Sequence, residues 1–215
     1  MNYHIIQIDN SRQDNITEIE NILGDRRAVI PVVNAHNESD LKEFYSSNLE
    51  FRVTGAELTK PEVGCFASHY LAWKYIVKNK LEDLLILEDD ALLKNNFLNK
   101  YTSSKKKLPK DYDMFFLYAN RYMAARFSIK DHYIKNHFIA RAYQDWSTLA
   151  YLISYEGAVK AIDLTHKMGM IRPVDNFLLE GGENRLLNVY APKPPELLPI
   201  EINEKYESTI RTKNV

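Results

Sequence analysis

The chain has 215 residues, of which 45% are hydrophobic and 27% are charged, and its formal net charge is -1. This composition is that of an ordinary globular protein, and the near-neutral charge argues against a dedicated nucleic-acid-binding protein. The single cysteine, Cys65, excludes an internal disulfide and favours a reducing compartment. No apolar stretch reaches the roughly 20 residues of a membrane span, and the start has no signal-peptide pattern, so we expect a cytoplasmic protein.

The first part of the chain has the pattern of a strand, a helix and a second strand. Residues 3–8 are apolar and rich in isoleucine, which predicts a strand. The next segment places apolar residues on one helical face, and Ser11 and Asp14 have the spacing of a capping box. Residues 27–33 predict a second strand, and this order is typical of a parallel βαβ unit.

A longer helix is predicted from Thr59 onward. Thr59 and Glu62 have capping-box spacing, Pro61 fits the first turn, and large apolar residues then recur at helical spacing. The short apolar run at residues 83–88 predicts a buried central strand. We expect further strands at residues 112–120 and 148–154, and further helices at residues 39–49, 95–104, 155–167 and 174–182, the last of these ended by Gly181 and Gly182.

Together these elements predict one α/β domain over residues 1–202, with a mainly parallel central sheet and helices on both faces. Strands and long loops are expected at residues 121–146, and an irregular crossing is expected in the proline-rich segment at residues 192–199. Residues 203–215 are polar and are expected to form a mobile C-terminal tail.

Three consecutive acids, Glu88, Asp89 and Asp90, close the predicted central strand. In an open α/β sheet, ligands bind at the carboxyl ends of such strands. If the backbone stays extended, Glu88 and Asp90 point together and Asp89 points away. Two carboxylates pointed together favour a hard divalent cation, which can also hold a diphosphate. The alternative is that these acids cap the next segment or lie in solvent.

Four segments of the chain resemble glycosyltransferase family 25, which includes bacterial lipooligosaccharide galactosyltransferases. They are, in chain order, PEVGCFASHYLAWKYIV, LLILEDDALL, AYLISYEGAVKAI and RPVDNFL, and the opening IIQIDNSRQDNI is a weaker match. The resemblance implies a GT-A-like, Rossmann-like domain that binds a nucleotide sugar, with Mn2+ or Mg2+ as cofactor. It also implies an inverting transfer of galactose from UDP-galactose to a sugar of a lipooligosaccharide or related surface glycan.

Carried over residue by residue, the resemblance implies roles for several side chains. Asp90 is expected to bind the metal directly, and Glu88 is expected to share that site or to contact the ribose of the donor. Ser68 and His69 are expected near the donor, although a hydrogen-bonded histidine at a helix–sheet boundary is an alternative for His69. The full donor-binding set is Asp9, Arg12, Ser68, His69, Glu88 and Asp89.

The general base of an inverting transfer must lie opposite the diphosphate, so the metal-binding acids cannot serve. Asp175, which follows Pro173 and precedes a predicted helix, is our candidate for this base, and Glu180 and Glu183 are lesser alternatives. Capping that helix is an equally good interpretation of Asp175. Cys65 is expected to be a packed thiol, because no basic partner lies at suitable spacing.

The implied partners are a UDP-sugar donor and a glycan or lipid-linked saccharide acceptor, with no nucleic acid. The basic run that contains Lys105, Lys106 and Lys107 is expected to be a solvated loop, and the alternative is a peripheral contact with the inner face of a bacterial inner membrane. Two other functions stay open: transfer from another UDP-hexose, and a catalytically inactive relative that binds nucleotide sugar or glycan.

Overall fold

The computed structural model describes residues 1–8, 10–47, 58–119, 139–142, 146–192 and 200–206. Within these residues, a six-stranded sheet carries helices on both faces, and a two-stranded sheet lies beside it. The elements, in chain order, are β1 (Tyr3–Ile6), α1 (Gln13–Leu23), α2 (Glu38–Ser47), α3 (Lys60–Asn79), β2 (Asp83–Glu88), β3 (Ala91–Leu93), α4 (Phe97–Lys105), β4 (Met114–Ala119), β5 (Ile139–Arg141), β6 (Trp146–Ser154), α5 (Tyr155–Met168), α6 (Val174–Glu183), β7 (Val189–Pro192) and β8 (Ile200–Ile202).

The large sheet has the strand order β1-β2-β6-β4-β7-β5. β1 pairs with β2 and β4 pairs with β7 in parallel, whereas β6 is antiparallel to both β2 and β4, and β5 is antiparallel to β7. Four of these six described strands therefore point the same way, and the sheet is mixed. The predicted α/β architecture is confirmed, and the antiparallel β6 between β2 and β4 is the main departure from a parallel sheet.

Alternate residues of the central strands feed two hydrophobic cores, one on each face of the sheet. Leu84 and Ile86 of β2 pack with residues of α3, α5 and α6, such as Phe66. Leu85 and Leu87 of the same strand pack with residues of α1 and α4 on the opposite face. A strand that is apolar on both faces, like β2, is the pattern of a central strand covered on both sides.

Two local predictions for the first part of the chain are wrong. The segment at residues 27–33 forms a single parallel bridge, between Tyr3 and Arg27, instead of a strand. Pro31 lacks an N–H for a ladder, and the N–H of Val33 is donated to the hydroxyl of Ser68 at 2.9 Å. The N-cap residue of α1 is Arg12, without a side-chain cap, instead of the expected Ser11, because α1 continues from a 3-10 turn that includes Ser11.

The predicted start of α3 is confirmed, because Thr59 and Glu62 form a complete capping box. Gly64 then lets the helix approach the preceding segment, since a Cβ atom there would lie 2.7 Å from the Cβ of Ala35. In α6, Gly181 and Gly182 do not end the helix, which continues to Glu183.

The start of the predicted C-terminal tail packs against the domain. β8 pairs with β3, which places Ile202 opposite Ala91, and the next residue, Asn203, is 8% exposed. The expectation of a mobile tail is therefore wrong for residues 203–206, and residues 207–215 lie outside the described residues. In the part of the chain that the structure describes, no helix has the length and hydrophobicity to cross a membrane.

Candidate functional site

The three acids lie at the carboxyl end of β2, as predicted, but the backbone turns there. β2 ends at Glu88, Asp89 and Asp90 form a turn, and β3 begins at Ala91. The assumption of an extended backbone is therefore wrong, and the side-chain directions follow from the turn. We refer to Glu88, Asp89 and Asp90 as the acidic turn.

Arg12 neutralises one acid of this turn. Its Nη1 donates a hydrogen bond to Oδ1 of Asp89 and lies 3.7 Å from Oδ2 of Asp90. Both Arg12 and Asp89 are buried. Burial raises the pKa of Asp89, although the charge of Arg12 opposes the shift. Asp89 is thus committed to an ion pair with Arg12, and Asp90 lies near the same guanidinium.

Asp90 has a buried oxygen that lacks a partner. Its Oδ1 has no hydrogen bond within the described part of the chain. Burial and then the negative charge of Glu88 raise the pKa of Asp90 to about 7. A buried carboxylate with an unsatisfied oxygen beside a second carboxylate is stabilised by a cation, so Asp90 and Glu88 are the candidates for holding a divalent metal ion.

Glu88 is held as an anion by two side chains. The hydroxyl of Thr148 donates to Oε1 of Glu88 at 2.7 Å, and Nε2 of His69 lies 3.6 Å from the same oxygen. Burial alone would raise the pKa of Glu88, but the interactions with His69 and Thr148 outweigh it and lower the pKa. The pKa of Glu88 is therefore lowered and that of Asp90 is raised, although only one residue separates them.

A chain of buried hydrogen bonds fixes the orientation of His69. Nε1 of Trp73 donates to the hydroxyl of Tyr151 at 2.9 Å, and that hydroxyl lies 2.9 Å from Nδ1 of His69. Because the Tyr151 oxygen already accepts from Trp73, its own proton is best used on Nδ1. Neutral His69 then carries its proton on Nε2, which faces Glu88. The structure thus supports the hydrogen-bonded alternative for His69 and also places it beside the acidic turn.

A second group of possible metal ligands shares Glu88. The ligand atoms of Cys65, His69 and Glu88 lie within 4.8 Å of one another. The tautomer assigned above places a proton on the nitrogen that would bind such a metal. Burial, followed by the negative charges of Glu88 and Asp175, raises the pKa of the Cys65 thiol. Both observations favour the packed thiol that the sequence predicts over a metal ligand at Cys65.

Asp175 lies in the first turn of α6. Its Oδ1 accepts the N–H of Asn176 at 2.7 Å, whereas the N-cap residue of α6 is Pro173. Asp175 is therefore not the N-cap residue, although its carboxylate satisfies one N–H of the first turn, as a capping side chain would. Burial and then the charge of Glu88 raise the pKa of Asp175, while His69 lowers it. Asp175 is close enough to the acidic turn for their charges to interact.

Two expected residues are placed elsewhere or are not described. Ser68 is fully buried, and its hydroxyl accepts from Val33 and donates to the carbonyl of Gly64, so the structure gives it a structural position instead of a donor contact. Asp9 lies outside the described residues.

The basic run lies far from the acidic turn. Lys105 forms an ion pair with Asp83, the first residue of β2, and the acidic turn lies at the other end of that strand, about 16 Å away. Asp83 therefore neutralises the charge of Lys105. A membrane contact through Lys105, Lys106 and Lys107 stays a prediction.

Sequence reasoning missed four side chains that build this site. Thr148 and Tyr151 lie in a strand that was interpreted only through its apolar residues. Asn15 was assigned to a helix without a role, and Asn203 was placed in a mobile tail. Each is a polar residue inside or beside an apolar segment, and that pattern could have marked it as a buried hydrogen-bonding residue.

Comparisons with known proteins find a matching family model and several relatives. The model of the family described as "Glycosyltransferase family 25 (LPS biosynthesis protein)" matches residues 1–178. "Procollagen galactosyltransferase 2" of Homo sapiens is 32% identical over 124 residues, which are 56% of this chain and 19% of that protein. "Probable inactive glycosyltransferase 25 family member 3" of Bos taurus is 32% identical over 130 residues, which are 58% of this chain and 21% of that protein. The match thus spans about a fifth of the length of these curated relatives.

One solved structure is similar at a lower level. The apo form of mouse xyloside xylosyltransferase 1 aligns with 86% of this chain and 70% of its own, at 14% identity and a TM-score of 0.41. At that TM-score the likeness carries no argument about this chain.

Proposed function

Because the chain belongs to glycosyltransferase family 25, we propose that it transfers galactose from UDP-galactose to a sugar of a bacterial lipooligosaccharide or related surface glycan. The procollagen galactosyltransferase among its relatives supports galactose as the sugar. The acceptor would be a glycan or a lipid-linked saccharide, and the reaction would invert the anomeric centre. The proposed fold type is GT-A, a nucleotide-sugar-binding α/β domain with its acids at a strand end.

One observation carries this proposal: Asp90, beside Glu88, has a buried carboxylate oxygen without a partner among the described residues. Glu88 and Asp90 would hold Mn2+ or Mg2+ in common with the diphosphate of the donor. When bound, the ion would neutralise the negative charge that develops on the leaving UDP. Arg12, paired with Asp89, keeps a positive charge at the same turn and limits the repulsion among the three acids.

Asp175 is the proposed general base. Its pKa is raised by burial, and a carboxylate with a raised pKa accepts a proton from a sugar hydroxyl more readily than an ordinary one. The bond from Asn176 to Oδ1 fixes its side chain. His69 and Thr148 hold Glu88, whereas the N–H of Asn176 holds Asp175. Different groups therefore fix the proposed metal-binding acid and the proposed base.

A donor panel tests the proposal. The purified chain would be incubated with UDP-galactose, UDP-glucose and UDP-N-acetylhexosamines, with Mn2+ or a chelator, and with or without a glycan extract. We expect the fastest UDP release with UDP-galactose, Mn2+ and acceptor together. Faster release from another UDP-hexose would show that galactose is not the preferred sugar. Equal release with the chelator would show that the reaction does not need the metal.

An inactive protein is the second candidate, and a specific finding favours it: the relative from Bos taurus is described as inactive. In that case the site would bind UDP-sugar without turning it over. Thermal stabilisation by UDP-galactose and Mn2+ with no UDP release, in the presence of any acceptor fraction, would support this candidate.

A further inference from the structure

Two buried asparagines hold the backbone of the acidic turn. Nδ2 of Asn15, on α1, donates to the carbonyl oxygens of Asp89 and Ala91 at 2.8 and 2.9 Å. The backbone N–H of Asn203 donates to the carbonyl oxygen of Asp90 at 2.8 Å. Three successive carbonyls that follow β2 are therefore satisfied by two residues from distant parts of the chain.

The two asparagines also bind each other. Nδ2 of Asn203 donates to Oδ1 of Asn15 at 2.9 Å. This bond requires the Asn15 oxygen to face Asn203. The two carbonyl partners require the same orientation of the amide, because the opposite one would set its oxygen against two carbonyl oxygens. Asn15 is 2% exposed and Asn203 is 8% exposed, so water does not easily replace the hydrogen bonds of these two side chains.

We refer to Asn15, Asn203 and their hydrogen bonds to the acidic turn as the clamp. Its second half depends on a segment that follows the region matched by the family model. Asn203 comes directly after β8, whose pairing with β3 brings it to the turn. The family model ends at residue 178, so the match does not include this half of the clamp. Tyr206, three residues later, places its ring 5.3 Å from the guanidinium of Arg12, which pairs with Asp89. The segment thus contacts both the backbone and the counter-ion of the acidic turn.

We propose that Asn15 and Asn203 are positioning residues that shape the acidic turn for metal binding. They turn the three carbonyl oxygens toward α1 and β8, which leaves the carboxylate of Asp90 as the group presented to the ion. This role rests on the proposed metal-dependent transfer. Neither asparagine needs to touch the metal, and Asn203 acts mainly through Asn15.

The test measures Mn2+ affinity of the full chain, with free Mn2+ detected by electron paramagnetic resonance. The variants are Asn15→Ala, Asn203→Ala and the double substitution. Asn79→Ala is the matched control, because Nδ2 of Asn79 also donates to a carbonyl oxygen, that of Tyr75, at an exposed site on α3. Circular dichroism would confirm folding, and Asn203→Ala carries the test if Asn15→Ala does not fold.

We expect Kd for Mn2+ to rise about tenfold in each single variant, as when supporting partners of metal ligands are removed. The double variant should resemble Asn15→Ala, and Asn79→Ala should bind like the wild-type protein. Wild-type affinity in both single variants, with Mn2+ bound by the unmodified chain, would overturn the clamp alone. No Mn2+ binding by the unmodified chain, with or without UDP-galactose, would overturn the metal proposal and the clamp with it.

Discussion

Nε2 of His69 and Oε1 of Glu88 lie 3.6 Å apart, and each residue is hydrogen-bonded to a side chain of β6. Tyr151 bonds to Nδ1 of His69, and Thr148 donates to Glu88. The imidazole is therefore oriented by one strand of the sheet toward an acid at the end of a neighbouring strand. Glu88 is held in place by groups that need not contact the donor themselves.

Tyr151→Phe removes the hydroxyl that links Trp73 to His69. The buried N–H of Trp73 and Nδ1 of His69 would both lose their partner, so we expect a loss of about 1–3 kcal/mol in unfolding free energy and a lower kcat. Tyr101→Phe is the control, because the buried Tyr101 hydroxyl has no hydrogen bond within the described residues. Denaturant unfolding and steady-state kinetics would measure both variants. Equal effects in the two variants would contradict the role of the Tyr151 hydroxyl.

Asp175→Asn keeps the shape of the side chain and removes its ability to accept a proton. We expect kcat to fall by about 10²–10⁴-fold while the affinity for UDP-galactose is retained, as for the loss of a general base. Asp163→Asn, at an exposed acid paired with Lys167, should leave both quantities unchanged. Steady-state kinetics with donor titration separates the two effects. Retained turnover in Asp175→Asn would move the base to another residue.

Asp90→Asn should change the pH dependence of stability in the metal-free protein. Burial, followed by the charge of Glu88, raises the pKa of Asp90 from 3.8 to about 7. Between these values the folded state holds a proton that the unfolded state releases, so the stability contributed by this group is present at low pH and is lost as pH rises to about 7.

The neutral asparagine avoids that loss. In the presence of a chelator, we expect the Tm of Asp90→Asn to exceed that of the wild-type protein at about pH 8 and to approach it at about pH 4. Thermal denaturation across this range would measure the difference. A constant difference at every pH would show that Asp90 does not titrate in this window.

Ser68→Ala separates a structural position from a donor contact. The hydroxyl of Ser68 bonds to Val33 and to Gly64, so its removal leaves the buried N–H of Val33 unsatisfied. We expect a loss of about 1–3 kcal/mol in unfolding free energy and an unchanged KM for UDP-galactose. A higher KM without a loss of stability would restore the donor contact that the sequence suggested.

Strong local signals made much of the fold predictable. The capping box at Thr59 and Glu62 and the apolar run that ends at Glu88 identified α3 and β2 correctly, because both patterns are short-range. The segment at residues 27–33 was misassigned because an apolar run shows hydrophobicity but not whether its N–H groups find a neighbouring strand. The antiparallel insertion of β6 is likewise a long-range choice that no local pattern records.

The candidate site was predictable at its centre and not at its supports. The three acids are recognisable from the sequence because they directly follow an apolar strand. Asn15 and Asn203 are 188 positions apart in sequence and meet only in the folded chain. Tyr151 resembles any aromatic residue of a buried strand until its hydroxyl is seen between Trp73 and His69.

Calorimetric titration of UDP-galactose into the wild-type protein and Asp90→Asn, each with Mn2+ and with a chelator, tests the central claim most directly. The substitution keeps the size of the side chain and removes only the charge that would hold the ion. We predict that the wild-type protein binds the donor with Mn2+ and at least tenfold more weakly with the chelator, and that Asp90→Asn shows the weak binding in both conditions. Donor affinity that is the same in all four titrations would contradict a metal held by Glu88 and Asp90.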